Sequence, residues 1–441
     1  MKILSIDIGT SSLKMAILNE QVKIIEMVTI DYQYKISNND WVELDPDQIL
    51  NAIAEGSKRL LKYLDEVEII GYETFSPSLV FMDQNGNPLY PIITHLDRRS
   101  KKQTKIILDT MGKETFQKIT GVQPFTGGVS ITTVMWVMEN MPEIFSDTYK
   151  LGHLSTFIYH KLTGCWATDP TDASMMGLYE TLKWTDWSKV ILSTFRIPES
   201  KLPDIYNAGT IIGTLTKESA STMGLKEGIP VVLGSNDAAI AHIGCGNSKE
   251  GDILNVSGSS EIISIISEKA VINDSYYIRN AVFPGMWQIF AITIGGFAID
   301  WFRSEFYKDM DVNEFYKAEF PDVIENYVDN TTAVFLPYLA GDRQSLTPKK
   351  GSFEGLTLDT TRKDMLAAIA IGIHEPIIKT LKLSSNFISL NKTIKLTGGL
   401  TTEHYINLKR KLLPGYAFEV KNNCPIIGNG ILALQALKKG K

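Results

Sequence analysis

Two aspartates, two glycine-hydroxyl turns and a third glycine pair are the residues of this chain whose types and spacing point to chemistry. Asp7 follows the apolar run from Ile3 to Ile6 and leads, through Ile8, into Gly9, Thr10, Ser11 and Ser12, with Lys14 close behind. Glycine lets a backbone approach an anion closely, and consecutive N–H groups in such a turn form an anion-binding concavity. The hydroxyls add donors, Lys14 adds positive charge, and Asp7 is placed to hold a metal ion that neutralises the anion. The same residues also suit an ordinary β-hairpin, because Gly and Ser are common turn formers.

Asp237 is the candidate reactive carboxylate. It lies among Gly234, Ser235, Asn236, Ala238 and Ala239, where a strand over 229–233 meets a short helix of small residues. Small neighbours leave room for a substrate whose hydroxyl proton the carboxylate accepts as the oxygen attacks a terminal phosphoryl group. The competing role is a plain helix N-cap, which aspartate often fills. A second turn, Gly258-Ser259-Ser260, lies between strands at 253–256 and 262–266. Gly398-Gly399 follows a strand at 393–396, either for close backbone approach to a flat or sugar moiety or as a packing glycine pair. No GxxxxGK[ST] occurs, which argues against a P-loop.

The elements that must position these residues follow from periodicity and capping. Asp45 caps a helix from Pro46 to about Leu64, with Ile49, Leu50, Ile53, Leu60 and Leu61 inward. A strand over 67–72, a loop at 74–78 and a strand over 79–82 come next, then a turn at 83–88 and mostly helix from 100 to 225. Strand, glycine turn and strand recur after residue 246, so the chain divides into 1–246 and 247–441. At 441 residues it is too long for one ordinary core.

Composition excludes several classes. Hydrophobic residues make up 44%, charged ones 21%, and the net charge of −6 offers no long-range attraction for nucleic acid. No apolar run reaches the roughly 18 residues of a membrane span. The first strand starts almost at residue 1, so no secretory leader is read and the chain is expected to be cytoplasmic. Cys165, Cys245 and Cys424 show neither disulfide nor zinc spacing.

In order along the chain, these blocks resemble those of the FGGY carbohydrate kinases, a branch of the actin-like, sugar kinase and heat-shock ATPase superfamily. Asp7 to Lys14 resembles the first phosphate motif. Leu89 to Ile93 with Asp97-Arg98-Arg99, and Leu162-Thr163-Gly164 with Asp169 and Asp172-Ala173-Ser174, resemble the next blocks. Gly234 to Gly244 resembles the segment of the catalytic aspartate, which falls on Asp237, and Val256 to Ser260 the second phosphate motif. Gly295-Gly296 ahead of Trp301, Phe335 to Arg343 with Gly351 to Gly355, and Gly398-Gly399 resemble the later blocks.

The resemblance implies an α/β fold of two ribonuclease H-like domains, each with a mixed five-stranded sheet, flanking an ATP cleft. Residues 1–246 would bind substrate and carry the base Asp237, and residues 247–441 would bind nucleotide. It implies ATP and Mg²⁺, with Asp7 holding the metal. Gly9, Thr10, Ser11, Ser12, Lys14, Gly258, Ser259 and Ser260 would meet the phosphates, and Gly296, Gly398 and Gly399 the nucleoside. The activity implied is ATP-dependent phosphorylation of a hydroxyl on a small carbohydrate, a ketose such as xylulose or ribulose. A sugar acid, a polyol, or a non-catalytic regulator that binds nucleotide or sugar are the alternatives. No nucleic-acid or membrane partner is expected, and a homodimer is left open.

The substrate loop departs from the pattern. Phe75-Ser76-Pro77 stands where xylulose kinases read Gln-Met-His and glycerol kinases Gln-Arg-Glu, His95 where a tryptophan is usual, and Thr133 where a lysine is usual. These changes argue against glycerol and weaken xylulose. Phe75, Ser76, Pro77, His95, Asp97, Arg98, Asn236 and Asp237 are the substrate candidates. His95 suits ligand contact or core packing, and Asp97 and Arg98 suit contact or mutual pairing. His242 and Phe335 to Tyr338 read as structural, and Lys409, Arg410 and Lys411 as a solvated helix face.

Overall fold

The structure, a computed structural model, describes residues 1–38, 40–339, 341, 342, 346 and 349–439. Ala340 and Arg343 of the later glycine-containing block lie outside the described residues. The chain forms two compact units. The first comprises Met1–Ser248, Ile278–Trp287 and Asn423–Lys441, and the second Lys249–Tyr277 and Gln288–Asn422. A single cut near residue 246 is therefore too simple, because two later segments return to the first unit.

The first unit is built on a six-stranded sheet ordered Ile211–Thr214, Pro230–Val232, Val67–Thr74, Lys2–Ile8, Ser12–Leu18, Ile24–Asp31. Lys2–Ile8 pairs antiparallel with Ser12–Leu18 and parallel with Val67–Thr74, which in turn pairs parallel with Pro230–Val232. Helices cover both faces of the central strands, which explains why Lys2–Ile8 is apolar almost throughout. Side chains alternate along it: Leu4, Ile6 and Ile8 pack with Ile49 and Ile53 of the helix Pro46–Arg59, and Ile3 packs with Ile240 and Ile426 on the opposite face.

Asp45 caps that helix as expected, its side chain accepting from the Asp47 N–H, with Pro46 in the first turn. The helix stops at Arg59, and Leu61, expected inward, is exposed. A second sheet in this unit runs Lys35–Ser37, Trp41–Leu44, Ile92–Thr94, Ser78–Met82, Lys150–His153, antiparallel throughout.

In the second unit the sheet order is Trp287–Ile294, Ser260–Ser267, Ile253–Ser257, Thr393–Thr397, Ala417–Val420. Ile253–Ser257 repeats the role of Lys2–Ile8, antiparallel to the strand after its turn and parallel to Thr393–Thr397. The principal sheet of the first unit has six strands rather than five, and that of the second unit has the five expected. Its core is aromatic-rich, with Phe302, Tyr307, Phe315, Phe335 and Tyr405 buried together. Of the run Phe335 to Tyr338, Phe335 is thus core, while Leu336 and Tyr338 are half-buried.

Candidate active site

Parallel strands end where a ligand meets an α/β sheet, because loops and helix N-termini open there. In the first unit those ends are Ile8, Thr74 and Val232. Residues paired in register point to one face. Asp7 is paired with Lys14 on one side and with Glu73 on the other, so Lys14, Asp7 and Glu73 form a row across three strands. The face is the one covered by the helices Asp237–Gly244 and Cys424–Lys439, since Ser5, two residues before Asp7, donates its hydroxyl to the Ile426 carbonyl.

Two glycines let those helices close on the sheet and on each other. A Cβ at Gly71 would fall 2.8 Å from the Asn429 carbonyl oxygen, and one at Gly244 only 1.8 Å from that of Cys424. Thr74 N–H donates to the Ser235 carbonyl at 3.2 Å, so the helix Asp237–Gly244 starts at the end of the strand that carries Glu73.

Its N-cap is Asn236, whose side chain accepts from the Ala238 N–H at 3.2 Å. Asp237, in the first turn, also accepts from Ala238 N–H, at 2.7 Å, and is not needed as the cap. It keeps an accessible edge, and burial pushes its carboxyl up to about 6. The Ala238 N–H opposes that shift, nearby Asp7 adds to it, and Arg279 opposes it. The segment Ile278–Trp287 brings Arg279 to this unit, a connection the linear pattern does not announce.

The first glycine turn is held from below. Gly9 N–H donates to the Ser12 carbonyl at 3.0 Å, and Tyr32 N–H to the Ser11 carbonyl at 3.1 Å. The Tyr32 hydroxyl donates to the Gly9 carbonyl. In a planar trans peptide the N–H points opposite to the C=O, so fixing the Gly9 carbonyl on Tyr32 turns the Thr10 N–H away from it. Thr10 and Ser11 are exposed, and the Lys14 ammonium lies 3.7 Å from Asp7.

Glu73 did not figure among the candidates. It is fully buried, and neither carboxylate oxygen has a hydrogen-bond donor. Burial, then Asp7, raises its carboxyl far above the usual range. The sequence signal was faint, since the strand Val67–Thr74 carries two glutamates and only the structure separates exposed Glu68 from buried Glu73.

The substrate-loop candidates divide. Phe75 is buried, its ring 6.0 Å from that of His95. Ser76 is half-buried, in the loop that leads through Pro77 to the strand Ser78–Met82, and donates to Asp172 at 2.5 Å. Asp172 also accepts from Ser155 at 2.6 Å, with the His153 ring 3.6 Å away. Neighbouring Asp169 accepts from Ser235 at 2.7 Å, and burial followed by Asp172 lifts its carboxyl to about 7. Together these bonds tie Ser76 and Ser235 to one short helix, Pro170–Met176.

Asp97 does not pair with Arg98. It is 1% exposed and grips Arg99, 2.7 Å away, while accepting from the Val42 N–H at 2.8 Å. Arg99 also binds Glu43 at 2.6 Å, and Arg98 donates to the carbonyls of His95 and Asp97. Asp97 is therefore a buried ion-pair residue that shapes the loop.

In the second unit Gly258 N–H donates to the Ser260 carbonyl at 3.0 Å, closing a turn one residue shorter than that at Gly9. The helix Gly296–Phe306 docks on this turn: Gly295 and Phe297 N–H reach the Ser259 carbonyl and Gly296 N–H the Gly258 carbonyl at 2.8 Å. Gly398, at φ +110°, lies so close to Ser257 that a Cβ would fall 2.1 Å from its carbonyl oxygen, whereas Gly258 and Gly399 face open space. Within this unit the three glycine pieces converge.

Lys409 is not on a solvated face. It is 1% exposed and bonded to Glu261 at 3.1 Å, Asn255 at 2.8 Å and His374 Nε2 at 3.1 Å. Tyr405 donates to Glu261 at 2.8 Å. Burial, then Lys409, drives the His374 ring down to about 4, so it is neutral, Nδ1–H donating to Ala370 and Nε2 accepting from Lys409. Glu261 pairs with Ser257 across the strands, so this network underlies the Gly258 turn.

Known proteins resemble the chain over these same regions. Residues 2–244 match the model of the FGGY family of carbohydrate kinases, N-terminal domain. A xylulose kinase of Staphylococcus xylosus is 26% identical over 420 residues, spanning 92% of this chain and 85% of its own. A gluconokinase of Bacillus licheniformis is 26% identical over 382 residues, 84% of this chain and 74% of its own. The crystal structure of ligand-bound xylulose kinase from Lactobacillus acidophilus superposes with a TM-score of 0.90 at 22% identity, covering 99% of this chain and 90% of that one. That of Plasmodium falciparum glycerol kinase with ADP gives 0.86 at 22% identity, covering 99% and 90%. The fold is thus the two-domain, actin-like sugar kinase fold expected from the motifs, and the chain belongs to the FGGY family of carbohydrate kinases.

Proposed function

We propose that this enzyme transfers the γ-phosphoryl group of ATP to a hydroxyl of a small ketose such as xylulose or ribulose, with Asp237 as the base. The observation that carries this reading is the start of the helix Asp237–Gly244 at the end of the strand whose Glu73 lies in the row Lys14, Asp7, Glu73. A carboxyl held near 6 is ionised at neutral pH yet close enough to it to accept a proton. Ser76, Asn236 and His95 are the polar groups on hand for sugar hydroxyls. Ser12, Thr10 and the Gly9 turn are the groups suited to phosphate within the first unit, and Gly258, Ser259, Ser260 and Gly399 those within the second.

The residues fit a divalent cation. Asp7 keeps 7% exposure at the strand ends, and the orphaned oxygens of Glu73 lie in the same row. Mg²⁺ bound there neutralises phosphate charge and orients the terminal group. Asp7 would hold it, Lys14 would add charge to the phosphate side, and Asp237 would take the proton from the substrate oxygen.

An uncharged sugar is favoured over a sugar acid. Burial raises the carboxyls of Glu73, Asp237 and Asp169, and nearby acids add to it: Asp7 and Asp237 at Glu73, Asp7 and Asp172 at Asp237, and Asp172 at Asp169. An extra substrate carboxylate would face that field. The expected cellular setting is the cytoplasm, and no helix among the described residues is long and apolar enough to cross a membrane.

The test is a coupled ADP-release screen over pentuloses, hexuloses, aldonates and polyols, with wild type and Asp237→Asn. The variant should lose about 10²–10⁴-fold in kcat, with ADP affinity by calorimetry within twofold of wild type. Equal loss of binding and turnover would make Asp237 a structural residue, and preferential turnover of aldonates would replace the ketose reading.

A further inference from the structure

Glu73 has no use in the proton transfer just described, yet it is a carboxyl side chain that is costly to bury where it is. Its carboxylate has no exposed surface and no donor at either oxygen. A buried polar group without a partner is unfavourable by about 1–3 kcal/mol, and more when charged. Its register partner is Asp7, the acid already placed at the strand ends.

Charge balance points to what is missing. Asp7, Glu73 and Asp237 are within electrostatic reach, and the ammonium 3.7 Å from Asp7 belongs to Lys14. With all three ionised, Lys14 and Arg279 offset two of the charges and leave one negative charge that a bound cation would offset. Among the described residues no group of three or more His, Cys, Asp or Glu is arranged to hold a metal ion. The protein's share is then at most two carboxylates, within the one or two that Mg²⁺ takes when nucleotide phosphates and water supply the rest.

We infer that Glu73 is the second protein carboxylate, beside Asp7, of the divalent-cation site. The purpose of that site rests on the phosphoryl-transfer reading, but its measurement does not. The rival role for Glu73 is a neutral prop that donates a hydrogen bond to Asp7. Glu73→Gln separates the two, because an amide still donates to Asp7 but supplies no anionic ligand.

The experiment measures Mn²⁺ binding to the full chain by electron paramagnetic resonance, without nucleotide and with ADP, for wild type, Glu73→Gln and Asp7→Asn. Both variants are expected to bind Mn²⁺ at least tenfold more weakly than wild type, with ADP affinity in EDTA unchanged for Glu73→Gln. Glu73→Asp, which keeps the charge but shortens the reach, should fall between them and guards against a folding artefact, as does the metal-free melting midpoint. Mn²⁺ affinity of Glu73→Gln within twofold of wild type, in both conditions, overturns the inference and leaves Glu73 as a prop. A wild type that phosphorylates sugar while Glu73→Gln keeps its Mn²⁺ sinks this inference alone. A metal difference with no sugar phosphorylated sinks the ketose reading alone.

Discussion

At the scale of single residues, the turn after Asp7 owes its shape to Tyr32. Its hydroxyl holds the Gly9 carbonyl and its N–H the Ser11 carbonyl. Tyr32→Phe removes one hydrogen bond of about 1 kcal/mol. If the turn cradles phosphate, the KM for ATP should rise about fivefold, while kcat and the sugar KM stay near wild type. Steady-state kinetics with either substrate varied checks this, and an unchanged ATP KM would remove the turn from the phosphate path. Asp237 illustrates a different point. Its candidate bland role, capping, is filled by Asn236, so its carboxylate is left available.

At the scale of elements, the second unit rests its glycine turn on a buried charge. Glu261 and Lys409 join the strand Ser260–Ser267 to the helix Glu403–Leu412, with His374 and Tyr405 completing their hydrogen bonds. Breaking a buried pair from one side leaves an uncompensated charge and typically costs about 3–5 kcal/mol. Lys409→Met should therefore destabilise the protein by that order in urea unfolding, and Lys409→Met with Glu261→Gln should recover part of it. A double-variant loss equal to the sum of the Lys409→Met and Glu261→Gln losses would show that the pair is uncoupled. The corresponding brace in the first unit is the hydroxyl lacing of Ser76, Ser155 and Ser235 onto Asp172 and Asp169.

At the scale of the whole molecule, the first unit is completed by chain that arrives last. The helix Cys424–Lys439 fits against Gly71 and Gly244 and accepts the Ser5 hydroxyl. A fragment of residues 1–248 would expose the apolar face around Ile3, Ile69 and Ile240 that this helix covers. It should show no cooperative thermal transition by circular dichroism, and a cooperative melt would mean that the returning segments are dispensable. The buried acids also set a global pH trend. Asp169 and Asp237 are raised from 3.8 to about 7 and about 6, so the native state keeps protons that the unfolded chain has released. Their contribution therefore favours folding below about pH 4 and is lost as pH rises toward 6–7, flat beyond. Asp169→Asn should flatten that part of the stability profile measured by urea unfolding between pH 4 and 8, and an unaltered slope would deny the raised carboxyl.

What the sequence by itself determined were features carried by a few consecutive residues. The Asp7 hairpin, the Asp45 cap, the small-residue turn into Asp237 and the ordered blocks that place the chain in its family are all local, because turn geometry, capping and close approach depend on neighbours in the chain. Only the tertiary structure decided which acids meet. Glu73 lies beside Asp7 through a strand register, Asp97 pairs with Arg99 rather than Arg98, and Lys409 is buried although it sits in a basic run. Whether a charged side chain is solvated, paired or left poised for a cation depends on groups far away in the chain, and on the low-dielectric surroundings that folding builds around them.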